Sequence, residues 1–155
     1  MKYFVLLLIA SISLTQCSKE TSAFNAEKDT IEFGMVSLRC LDDCIQMYKL
    51  ENRNLFSQTS PIRFLEDLKY NDQPSTKYDV NKIIKLLNNI PSIILESSEN
   101  FGCPGCVDEP FILLRFTHGE NIKSIKVDIK EYDLPREVKP WVLDFLNLMD
   151  ELRQL

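Results

Sequence analysis

A short apolar segment at the N-terminus, closed by Cys17, decides how much of this chain is free to fold and in what surroundings. Met1-Lys2 supplies a positive start, and Tyr3 to Leu14 an apolar run. A bilayer-spanning helix needs about 20 predominantly apolar residues. Here Ser11, Ser13, Thr15 and Gln16 interrupt the run before that length is reached. The segment reads as a signal peptide over 1–16, which carries the rest of the chain out of the reducing cytoplasm. Cleavage before Cys17 takes 16 of the 155 residues and leaves 139. That length suits one domain able to bury about two-thirds of its unfolded surface.

Leu14-Thr15-Gln16-Cys17 resembles the lipobox of bacterial lipoproteins, with Leu three residues before the cysteine and a small residue next; Gln16 stands where Gly, Ala or Ser is usual. The resemblance implies that Cys17 becomes the lipidated first residue of the mature chain, carrying palmitate and anchoring it to the outer membrane or cell surface. The competing reading is an ordinary signal peptide cut nearby, with Cys17 left as an unpaired thiol. Cysteine arithmetic agrees with lipidation. Of five cysteines, setting Cys17 aside leaves an even set, Cys40, Cys44, Cys103 and Cys106, in an oxidising compartment. Their close spacing makes two local bridges the simplest pairing, while a cross-pairing between the halves of the chain would stabilise more because it closes a longer loop.

Residues 17–29 form a lipidated N-terminus and polar tether, with Phe24 its only large apolar residue. Ser18-Lys19-Glu20 resembles the short charged surface-export signals of Bacteroidota lipoproteins. Loss of Lys2 takes the formal net charge from −5 to −6, and no basic cluster of the kind that phosphate neutralisation requires is visible, so nucleic acid is not an expected partner.

Residues 30–155 read as a single α+β domain. Thr30 to Arg39 is rich in strand formers, Ile45 to Leu50 is a second strand, Glu51-Asn52-Arg53-Asn54 a turn, and Leu55-Phe56 the start of a third strand. The structure of 57–78 stays open: Ser60-Pro61 fits either a short helix through Leu68 or an edge strand. Val80 to Ile90 has helical spacing, with Asp79 as its N-cap and Pro91 as its stop. Phe111–Thr117 and Ile122–Ile129 make a hairpin around His118-Gly119-Glu120-Asn121. Ile125, Val127 and Ile129 alternate with Ser124, Lys126 and Asp128, as in a sheet with one wet face. A last helix after Pro135 or Pro140 carries the stripe Val138, Trp141, Val142, Phe145, Met149 and Leu152. The order strand-strand-helix-strand-strand-helix predicts an antiparallel sheet with its helices packed on one face.

Gly102-Cys103-Pro104-Gly105-Cys106-Val107-Asp108 resembles the Gly-Cys-Pro-Asp-Cys-Ala-Asp type motif of small uncharacterised Bacteroidota lipoproteins, in which it lies between a helix and a hairpin closed by a proline-led helix. Gly105, Val107 and Glu109-Pro110 depart from that pattern. Cys40-Leu41-Asp42-Asp43-Cys44 resembles, by spacing, a Cys-Phe-Gly-Thr-Cys motif of a related domain of unknown function. The resemblance implies a fold and a location and no activity.

Cys103-Pro104-Gly105-Cys106 also has the form of a dithiol redox motif. Such a site calls for a strand before it and a helix directly after, whereas polar Ser97 to Asn100 precedes and Pro110 stops a regular helix. Zinc on the two cysteine pairs competes with oxidation, and Asp42-Asp43 and Asp108-Glu109 lack the run of oxygens and the glycine turn of a calcium loop, so no metal or other cofactor is expected. His118 reads as a solvated turn residue, Trp141 as core, and Glu96 with Glu99 as loop acids. The expectation is a lipid-anchored module for binding or envelope structure, its partner an envelope protein or ligand. An extracytoplasmic thiol-disulfide protein using Cys103 and Cys106 is the alternative.

Overall fold

The computed structural model describes Asn25, residues 29–37 and residues 44–154. Cys17, Cys40 and the Asp42-Asp43 pair therefore lie outside the described residues, as does most of the tether. The fold is α+β. Six strands form one sheet, β1 (Thr30–Val36), β2 (Ile45–Glu51), β3 (Asn54–Ser57), β4 (Asn100–Phe101), β5 (Phe111–His118) and β6 (Asn121–Asp128), in the order β3-β2-β1-β5-β6-β4. All neighbours are antiparallel except β4, which lies parallel to β6. Among the described residues three α-helices accompany them, α1 (Val80–Asn88), α2 (Ser92–Leu95) and α3 (Lys139–Arg153).

The sequence order is thus richer than the simple alternation expected. Three strands precede the first helix, Pro91 opens a one-turn α2 after stopping α1, and a two-residue β4 stands before the hairpin. β1 leaves the sheet at Val36, short of the expected Arg39. The turn after β2 needs only Asn52 and Arg53, both left-handed at φ 49° and 60°, because the tight two-residue hairpin turn requires positive φ at both positions. Asp79 caps α1 as expected, its Oδ1 accepting from the Asn81 amide at 3.0 Å.

One face of the sheet carries the main core. Ile31 and Phe33, Tyr48 and Leu50, Ile112 and Leu114, and Ile125 and Val127 meet the apolar faces of α1 and α3. The α3 stripe read from sequence is buried throughout. Phe145 stands edge-on to Phe33 at 6.2 Å between ring centres, and the Trp141 indole donates to the Leu86 carbonyl at 3.1 Å, fastening α3 to α1. At the solvent edge of the same helix pair the Tyr78 hydroxyl donates to Glu151 at 2.7 Å, with Lys82 3.4 Å away.

The opposite face is not uniformly wet. Val36, Ile45, Met47, Phe111 and Leu113 form a second core, and the chain after β3 folds back over it through Ile62, Leu65 and Leu68. That segment is neither of the two structures its sequence allows. Ile62 makes an isolated bridge to Ile45, and Leu65–Asp67 is one 3-10 turn. Nearer the start of β1 the same face is polar: the register aligns Lys49, Glu32 and Arg115 across β2, β1 and β5, with Arg115 and Glu32 2.7 Å apart. Between the two halves lies Gly34. A Cβ there would sit 2.0 Å from the Gln46 carbonyl oxygen and 2.7 Å from the Met47 sulfur, so the central strand tolerates no side chain at this point.

These contacts make two effects measurable. Gly34→Ala forces β2 away from β1 and is expected to cost about 1–3 kcal/mol, read as a lower urea midpoint at unchanged m; an unaltered midpoint would mean the strands separate freely. Glu151 is held below the usual carboxylate range first by the Tyr78 hydroxyl and then by Lys82. A lowered folded pKa makes this contribution present above the ordinary glutamate pKa of about 4.3 and lost as pH falls through the lowered value. Tyr78→Phe is expected to raise the Glu151 titration toward the ordinary range, followed by side-chain carboxyl NMR. A titration that stays in place would assign the shift to Lys82.

Candidate functional site

The cysteine motif occupies a corner held by one buried carboxylate. β4 delivers the chain to Gly102, whose φ of 77° and close approach exclude a side chain, since a Cβ would lie 2.6 Å from that of Asp128. Asp128 is 2% exposed. Its Oδ2 accepts from the Cys103 amide and its Oδ1 from the Lys130 amide, each at 3.0 Å. The alternation along β6 puts Asp128 with the wet-face residues, but the returning Gly102-Cys103 backbone covers it and supplies the partners a buried carboxylate needs. Gly105 then turns the chain at φ 76°, the Cys106 amide donates to the Cys103 carbonyl at 3.0 Å, and the two sulfurs are joined with Cα atoms 5.5 Å apart.

This corner differs from a thiol-activating one. A short strand does precede the motif, contrary to the expectation from its polar residues, because Asn100 and Phe101 pair with Lys126 and Val127. On the other side of the motif stands one 3-10 turn, Cys106–Asp108, with Asp108 left-handed at φ 64°, and then Pro110 and β5. Among the described residues no multi-turn helix directs its N-terminus at the sulfurs. The Cys103 amide is already committed to Asp128, and a carboxylate bonded to the backbone of that cysteine opposes a thiolate on it. Cys103 is exposed and Cys106 half-buried. The arrangement suits a crosslink that locks the loop against β6.

Cys44, buried beside the second core, is also disulfide-bonded, to a partner outside the described residues. Among the described residues no three His, Cys, Asp or Glu side chains converge as a metal site. Glu109 instead lies 3.4 Å from Lys130. His118 is exposed at the hairpin and pairs with Asp29 at 2.5 Å, while Glu96 and Glu99 are exposed. Trp141 is core. No described helix is long and apolar enough to cross a membrane.

A feature unread in the sequence is a cleft of about 860 Å³ between the chain from Ser57 to Lys77 and the C-terminal end of α3. Its floor comes from Met47, Tyr48, Leu55 and Leu152, its walls from Ser57–Pro61, Asn71–Lys77 and Arg153. The wall is irregular but anchored: the Ser75 amide donates to the Leu55 carbonyl at 2.7 Å and the Asn71 amide to the Ser57 carbonyl at 2.9 Å. The Gln58 side chain ties it to β2, accepting from the Met47 amide at 2.9 Å and donating to the Ile45 carbonyl at 2.8 Å. Arg153 closes the end, donating twice to the Gln46 side-chain oxygen. The only local signal is the density of Ser, Thr, Asn, Gln and Pro between residues 57 and 77, which marks loop and not a site.

Asp128→Ala should remove the partner of the part-buried amides of Cys103 and Lys130, at a cost of about 1–3 kcal/mol in thermal or urea unfolding. Asp128→Asn, which keeps the shape and one acceptor, should cost less; equal losses would point to the charge in place of the hydrogen bonds. Comparison with protein-family models, curated proteins and solved structures finds no match to this chain.

Proposed function

We propose that this chain is a membrane-anchored extracytoplasmic lipoprotein, acylated at Cys17, whose domain serves as a binding or envelope-structural module at the outer membrane or cell surface. The observation that carries the anchor is the Met1 to Cys17 segment, a positive start and a short apolar run ending in Leu14-Thr15-Gln16-Cys17. The motif from Gly102 to Asp108, with its resemblance to small Bacteroidota lipoproteins, supports the same location. Support for a binding role comes from the open cleft beside α3, within the roughly 300–1,000 Å³ range of small-molecule sites.

The strand register fits a tethered domain. β1 begins at Thr30, opposite Thr117 near the β5–β6 turn, and ends at Val36, opposite Phe111. Cys44 and the Cys103–Cys106 corner adjoin that far end, just before β2 and β5 respectively. On this reading the tether joins the domain at the end of β1 that lies beside the β5–β6 turn, opposite the bridged corner. The thiol-disulfide reading has one observation in its favour, the exposure of Cys103, and against it stand the committed amide and the absence of an activating helix among the described residues.

Cells fed labelled palmitate should yield a labelled, membrane-sedimenting protein, and Cys17→Ala should lose both properties. Membrane association unchanged in the variant would remove the lipoprotein reading. The same purified protein is expected to leave insulin disulfides intact; insulin reduction abolished by Cys103→Ser would replace the binding module with the redox enzyme.

A further inference from the structure

We infer that the cleft between the Ser57–Lys77 chain and the end of α3 is a site for a neutral, hydroxyl-rich ligand, a short oligosaccharide. The inference rests on the binding-module reading and identifies its ligand class.

The wall chemistry argues against strongly charged ligands and against an added peptide strand. Three charged side chains line the cleft, Asp72, Lys77 and Arg153, of both signs, and the Arg153 guanidinium spends two donors on Gln46 at 3.2 and 3.0 Å. That is no concentrated field for a phosphate or a polycation. An extended peptide would need an open sheet edge, but the edge strand β3 is already met by the wall through Ser75 to Leu55 and Asn71 to Ser57. Met47, Tyr48, Leu55 and Leu152 are buried in the two cores, so the apolar surface open to a ligand is carried by the walls, Pro61 and Pro74 among them.

What the cleft does offer is uncharged hydrogen-bonding capacity. Ser60, Gln73, Ser75 and Thr76 line it, and their side chains make no hydrogen bond within the described residues. Each of these groups both donates and accepts, as does every sugar hydroxyl, so each can be matched without burying a charge. Pro61 and Pro74 add rigid apolar surfaces on the same wall, against which the C–H faces of a sugar ring can lie. Because Gln58 and Asn71 fasten the wall to β2 and β3, much of the ordering cost is met before a ligand arrives.

The test uses the purified full-length protein and saturation-transfer NMR with maltotriose, cellotriose, xylotriose and chitotriose, each at up to about 10 mM, the weak limit of measurable affinity. Trigalacturonate and penta-alanine serve as anionic and peptide probes. At least one neutral trisaccharide should bind, and the double variant Gln73→Ala, Thr76→Ala should weaken it at least about tenfold, while Lys85→Ala on exposed α1 leaves it unchanged. Absence of any neutral trisaccharide signal overturns the proposal, as does binding that survives the double variant or preference for the anionic or peptide probe. Insulin reduction in the same preparation would instead overturn the binding-module reading itself, so the two failures are distinguishable.

Discussion

The pairing of β1 with β5 is the interaction on which the rest of the structure depends. It joins the first strand of the domain to one more than seventy residues later, over a continuous antiparallel register from Thr30 with Thr117 to Val36 with Phe111. Without it the sheet falls into two three-stranded pieces, β3-β2-β1 and β5-β6-β4, neither with a covered face. Gly34 sits in the middle of this seam, and its missing side chain lets the backbone of β2 and the sulfur of Met47 close over the strand. The sheet can then present two continuous surfaces.

Those surfaces do different work. The helix side is a single apolar core, where the shape of Phe33, Phe145 and Trp141 sets the position of α3. The other side is divided, apolar where residues 62–70 fold over it and ionic where Glu32 lies between Lys49 and Arg115. Tyr70 bridges the two halves. Its hydroxyl is buried near Glu32, and its pKa is raised, first by burial and then by the charge of Glu32. Asp128 plays the corresponding part at the cysteine corner, converting a carboxylate on the side of β6 into the support for a loop that would otherwise hang free. In both places a polar group accompanies the irregular chain where it returns over the sheet.

The cleft has the same origin. The chain between β3 and α1 is too poor in regular periodicity to make an element of its own, yet it is held by backbone bonds to β3 and side-chain bonds to β2. A wall of that kind keeps its shape through Gln58 and Asn71 while leaving the side chains of Ser60, Gln73, Ser75 and Thr76 unused among the described residues. On the lipid-anchored reading, a domain tethered through its first strand presents such a wall without any element of regular structure being committed to it.

The sequence by itself determined the α+β class, the capped helix from Val80, the hairpin around Gly119 and the buried stripe of α3, because each rests on periodicity or on a single residue acting within one turn of itself. It made a local Cys103–Cys106 bridge the simplest pairing and left a cross-pairing open; the structure joins these two sulfurs. Only the tertiary structure decided that Asp128 is buried, that Gly34 admits no side chain, and that residues 57–77 with the end of α3 enclose a cleft. The physical reason is distance along the chain. Asp128 is defined by an amide 25 residues away and the cleft by Arg153, 107 residues from the Gln46 it meets. Such partners are set by strand register and helix docking, which no local pattern of residue types records.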